Sequence, residues 1–162
     1  MQDIKNENRI VSDWLLYYPE RLRQHEEQLA SVTFLSSPSL SDDIRGTGGT
    51  SDPTARVAAQ RLKYDSAWFD LIADVERSLP EKQRVFLECR RQALKQHGGR
   101  PGRPGRPAWI AYVQCRYPLV MAERTGRDVE HYFIGREMTL HQWWERIVDY
   151  TARLAAKKGL LK

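Results

Sequence analysis

Hydrophobic positions along this chain recur at three- and four-residue steps, the period of a helical face. The clearest case is the end of the sequence. Across residues 139–158, Leu140, Trp144, Ile147, Val148, Thr151, Leu154 and Ala155 keep that period with no Gly or Pro between them, which predicts a helix of about five turns. Lys157 and Lys158 suit the negative pole of its dipole, and Gly159 suits the left-handed stop that follows. Its start is open: either the Thr139 hydroxyl caps the first turn, or the chain enters at Gly135-Arg136 with residues 136–138 as an extra turn.

The same period runs through the rest. Between 11 and about 30, Trp14, Tyr18, Leu22 and Leu29 share a face while Glu20, Arg23, Glu26, Glu27 and Gln28 lie elsewhere, predicting a first amphipathic helix capped by Ser12 or Asp13. Pro19 inside it lacks a backbone donor, so a kink or a restart at Tyr18-Pro19 is expected. The aromatic stretch Trp14 to Tyr18 is expected to pack on the domain's own core, with a partner-docking surface as its alternative. Residues 31–51, rich in Ser, Gly, Thr and Asp, read as a loop or linker, and 31–35 is the one stretch with β character. Asp52-Pro53 then starts a long central helix carrying Val57, Tyr64, Trp68, Leu71, Ile72, Val75 and Leu79.

Leu79-Pro80 opens the next helix, with Val85, Phe86, Cys89 and Ala93 inside and Arg84, Arg90 and Arg91 outward. After Pro107, the residues Trp109, Tyr112 or Val113, and Tyr117 fit one face, with Pro118 as a break or kink before Thr125-Gly126. Asp128 is placed to cap a short apolar run, Val129, Tyr132, Phe133 and Ile134, and a turn at Gly135 leads into the last helix. The fold expected is therefore all-α: an N-terminal amphipathic helix (1–32), a flexible linker (33–51) and a small helical bundle (52–162) ending in a helix-turn-helix.

At 162 residues with 41% hydrophobic content, the chain is long enough to bury a core. A formal charge of +5 and a pI near 9.4 favour an anionic partner. Cys89 and Cys115 have neither CxxC spacing nor His companions, so no zinc site or disulfide framework is suggested and buried reduced thiols are expected. No apolar run approaches a membrane span and the polar start MQDIKNENR is no signal peptide, which points to a cytoplasmic protein without a membrane partner. Phosphate loops, dinucleotide fingerprints, zinc-protease and nucleophile-elbow motifs are missing, and the four histidines are scattered. His141 and Glu145 form an i, i+4 pair of the kind usual on helix surfaces. Neither enzymatic activity nor a cofactor is expected.

Two features point to DNA. The front of the last helix leaves His141, Gln142, Glu145 and Arg146 outside the apolar stripe, with Arg136 and Thr139 beside them, and most of these hydrogen-bond base edges or phosphates. Residues 98–107 read GGRPGRPGRP, which cannot form helix and holds Arg100, Arg103 and Arg106 on an extended, solvated backbone. That segment resembles the core of an AT-hook, a minor-groove motif; as a plain basic loop it still offers phosphate contacts. Ser78 to Leu87 resembles the opening of the fourth region of sigma factors. Together with Ser51 to Arg56 and the Trp-Trp helix, residues 50–160 resemble phage and prophage transcription regulators of the ArpU and RinA kind. The resemblance implies control of late phage genes through double-stranded promoter DNA, with contact to RNA polymerase. Leu140-His141-Gln142 stands where the family pattern often has Arg or Lys, so phosphate and minor-groove contacts are expected to carry more of the affinity. A homodimer held through the first helix is the expected assembly. Two other readings stand beside it: a small terminase-like packaging component that forms a ring, and a protein adaptor that docks through the Trp14 to Tyr18 stretch without DNA.

Overall fold

The computed structural model describes residues 2–35, 53–97 and 107–161. Five α-helices follow one another: α1 (Gln2–Leu35), α2 (Pro53–Ser78), α3 (Glu81–His97), α4 (Ala108–Thr125) and α5 (Glu137–Lys157), with one 3-10 turn at Val129–Tyr132 before the last. The described residues contain no strand; 31–35, the stretch with β character, is the final turns of α1.

α1 and α2 lie antiparallel around a stack of aromatic rings. Trp14 and Trp68 are stacked nearly parallel with centroids 5.1 Å apart, and Phe69 meets Trp14 edge-on. Further up α1, the His25 ring rests on Phe69. The tryptophan of the aromatic N-terminal stretch and its neighbour Leu15 are buried, so that stretch does pack on the protein's own core, leaving Tyr17 exposed. The periodic readings overreach where α1 and α2 run past that core: Leu29, Val57 and Tyr64 are exposed.

α5 runs antiparallel to α2. Tyr150 and Ser78 share a hydrogen bond, Lys158 reaches Asp74, and the Tyr64 hydroxyl donates to the Leu160 carbonyl, so rising numbers on one helix meet falling numbers on the other. The termination expected of α5 is present, with Gly159 at φ 68°. α4 ends the same way at Gly126, φ 70°, whose N–H bonds the Ala122 carbonyl.

α3 sits at the centre and touches α1, α4 and α5. It therefore buries more of its circumference than a one-sided amphipathic helix does: Val85, Phe86, Leu87, Cys89 and Ala93 are all enclosed. α4 crosses α3 rather than running along it, since Trp109 near its start meets Phe86 and Arg124 near its end bonds Glu88.

Neither internal proline breaks its helix. Pro118 lies on the buried side of an unbroken α4, and Pro19 sits inside an α1 that continues from Gln2 to Leu35, well beyond the expected 11–30. At Pro19 the reason is visible. A proline cannot donate to the carbonyl four residues back, and that carbonyl, of Leu15, instead accepts from Arg91 Nε at 2.7 Å. The same guanidinium lies 2.5 Å from Glu76 Oε1, off the hydrogen-bond direction and so an ion pair, and faces the Tyr18 ring. Arg91, expected to point outward, joins α1, α2 and α3. Burial and the nearby Glu76 charge push the Tyr18 phenol above its ordinary range.

Candidate nucleic-acid interface

The approach to α5 differs from the short helix and glycine turn expected. Val129–Tyr132 is a single 3-10 turn of four residues. Tyr132 is drawn into the core, its hydroxyl bonded to Thr125 Oγ1, while Val129 and Phe133 stay exposed, so the short apolar run has no second turn to bury. Gly135 is not left-handed. Residues 133–136 have no regular secondary structure, Phe133 and Arg136 being extended, and are held to α4 by Gln114 Nε2 donating to the Ile134 carbonyl at 3.0 Å. α5 then enters through Arg136 at the N-cap with no side-chain cap, which resolves the open start in favour of the extra turn. Thr139 lies within the first turn rather than capping it.

On the front of α5, Arg136, Gln142 and Arg146 are exposed, whereas Thr139 and His141 are half-buried. Met138 is exposed among them, an apolar group that the polar pattern does not single out. His141 stands edge-on to the Trp109 ring at 5.4 Å, a contact made in place of free solvent exposure. Arg100, Arg103 and Arg106 fall outside the described residues. The chain re-enters the described structure at Pro107, and Trp109, two residues on, is the ring that meets His141.

Charge is divided unevenly along the chain. From Leu79 to Lys162 there are 17 Lys and Arg against 8 Asp and Glu, a formal +9; the residues before them hold 9 against 13, a formal −4. The modest net charge of the whole therefore conceals a strongly basic part that coincides with α3 to α5. Lys82, Arg84, Lys95, Arg116, Arg136 and Arg146 are exposed on it.

Beneath that surface lies Arg90, also expected to point outward. Its guanidinium carbon is 3.8 Å from the Trp109 ring centre and 4.1 Å from that of Trp144. On α3 it follows Phe86 by four residues and precedes Ala93 by three, both enclosed, so its place inside was readable from spacing. Burial lowers its pKa to about 10, with no carboxylate near enough to hold the charge. Trp143, which lies off the predicted stripe, packs edge-on against Phe86 and Tyr117. The two thiols also part company: Cys89 is enclosed, with burial as the main cause of a pKa pushed up to about 11, and Cys115 is exposed.

A larger cleft of about 600 Å³ lies between α1 and α2, lined in part by Trp14, Arg21, His25, Arg61 and Asp65. On its wall His25 Nε2 lies 3.3 Å from Ser66 Oγ, which also donates to the Leu62 carbonyl. No described helix is long and apolar enough to cross a membrane. No protein-family model matches the chain, and no curated protein or solved structure matches it either.

Proposed function

We propose that this chain is a sequence-preferring DNA-binding transcription regulator in which α4 and α5 act as the two helices of a helix-turn-helix. The first turns of α5 enter the major groove. Arg136, Gln142 and Arg146 face the duplex directly, with Thr139 and His141 at the edge of the contact. The segment carrying Arg100, Arg103 and Arg106 grips phosphates or the adjacent minor groove. The observation that carries this reading is that the exposed polar front of α5 belongs to the +9 portion of the chain, and that Trp109, three residues after Arg106 in the sequence, packs on His141 there. The proposed protein works as a homodimer on paired half-sites and regulates phage late genes together with RNA polymerase.

Binding to pooled random duplexes at two salt concentrations tests this. Changing Arg100, Arg103 and Arg106 to Ala is expected to lower affinity for all sequences and flatten the salt dependence by roughly three phosphate contacts. Changing Gln142 and Arg146 to Ala is expected to alter the selected sequences. A chain that gives no salt-sensitive shift overturns the reading in favour of a protein adaptor. Binding accompanied by a ring-sized solution mass would instead indicate a packaging component.

A further inference from the structure

Arg90 is enclosed in a way that its packing does not complete. Two indole faces clamp the guanidinium, a favourable arrangement for a cation over aromatic rings. Yet Nε and Nη1 are buried and have no acceptor among the described residues. Buried donors of this kind are rare in folded proteins, because each loses its water without recovering a hydrogen bond. The side chain keeps partial exposure. Both forks through which a guanidinium takes an oxyanion pair Nη2 with one of the two enclosed nitrogens.

We infer that Arg90, held in one plane between Trp109 and Trp144, is a preorganised receptor for a phosphate oxyanion. The walls hold the guanidinium plane before the ligand arrives, so little rotamer freedom remains to be lost, and with Nε and Nη1 enclosed the oxyanion approaches first through Nη2. The position selects phosphate over a lone carboxylate, since Trp109 also holds His141 at the front of α5 and the surrounding chain is the basic part of the molecule. The phosphate comes either from a DNA backbone or from a small phosphorylated molecule. The first source deepens the regulator reading and rests on it; the second does not need it.

The test uses the full chain, the Arg90→Met and Arg90→Lys variants, and two probes: a short DNA duplex and inorganic pyrophosphate. The readouts are the Arg90 Nε–H resonance, assigned by its loss in both variants, and the salt dependence of duplex binding. A shift of that resonance with duplex supports the site and names DNA as the source; a shift with pyrophosphate alone supports it and names a small phosphorylated ligand. With duplex, Arg90→Met is expected to bind about tenfold more weakly with one phosphate contact fewer in the salt slope, and Arg90→Lys to bind more weakly with the slope kept. A purely structural clamp behaves differently: the methionine variant would melt earlier and bind duplex as the parent does. If neither probe moves the resonance, and the parent and Arg90→Met bind duplex with equal affinity and slope, the inference is overturned while the regulator reading stands. If pyrophosphate moves it and the parent binds no duplex, the regulator reading falls and the phosphate site remains.

Discussion

Arg90 and Arg91 are adjacent on α3, both turn inward, and they end in opposite circumstances. Arg91 enters the junction of α1, α2 and α3, where Glu76 holds its charge and the Leu15 carbonyl, left without a donor by Pro19, takes its Nε–H. Arg90 enters the junction of α3, α4 and α5 between two tryptophans, where its Nε and Nη1 meet no acceptor among the described residues. The first arginine completes hydrogen bonding that the backbone cannot finish. The second is charge kept in the interior without a partner, which costs stability and is best explained by a ligand. Residue type and depth are alike; the partners decide what each one does.

The largest effect is expected from breaking the paired side. Arg91→Met strands Glu76 and leaves the Leu15 carbonyl bare, for a loss of about 3 kcal/mol in urea unfolding with an unchanged m-value. A loss below about 1 kcal/mol would mean that the junction is not held this way. Trp144→Ala, which removes one wall around Arg90, is expected to cost about 2 kcal/mol, less than a fully enclosed tryptophan because this ring is partly exposed. Pro19→Ala restores a donor to Leu15. It should stabilise the Arg91→Met variant by about 1 kcal/mol more than it stabilises the parent, a coupling that a double-mutant cycle measures.

Arg90→Met should change stability by no more than about 1 kcal/mol, in the stabilising direction if in either, because a buried unpaired charge is exchanged for apolar volume. The pH dependence follows from the lowered pKa of Arg90. Above about pH 10 the unfolded chain binds more protons than the folded one, so the parent gains stability relative to this variant as pH rises through that value; below it the cost of the buried charge is fully present. The smallest effect is a label count. At pH 8 Ellman's reagent should modify Cys115 and spare Cys89 in the parent and in Arg90→Met alike, with both thiols reacting on unfolding. Labelling of Cys89 in the folded variant would show that the α3 face had opened.

Periodicity located the elements well where one face does the burying. α5 was legible nearly residue by residue, including its left-handed stop at Gly159, because Leu140, Ile147, Val148, Thr151 and Ala155, all buried, recur at helical period without interruption. On α3 Arg84 points outward as expected, but the reading missed that Arg90 shares the side of Phe86 and Ala93, and that Glu76 and the Leu15 carbonyl draw Arg91 inward. The run at Val129–Ile134 failed for a different reason: Tyr132 is buried and Ile134 partly so, but Val129 and Phe133 stay exposed, too little burial to hold a helix. Of the candidate interface, the sequence supplied Arg136, Gln142 and Arg146 as exposed polar groups, while the seating of His141 on Trp109 depends on two helices meeting.

By itself the amino-acid sequence determined that the chain is helical, where most helices begin and end, and that its second part is strongly basic, because helix period, capping residues and charge are local properties. Only the tertiary structure decided that two prolines would leave their helices whole, that one arginine would be paired and its neighbour would not, and that Trp109 would pack on His141 at the front of α5. Those outcomes depend on which groups from distant positions arrive within hydrogen-bonding or packing distance, and no local pattern encodes that distance.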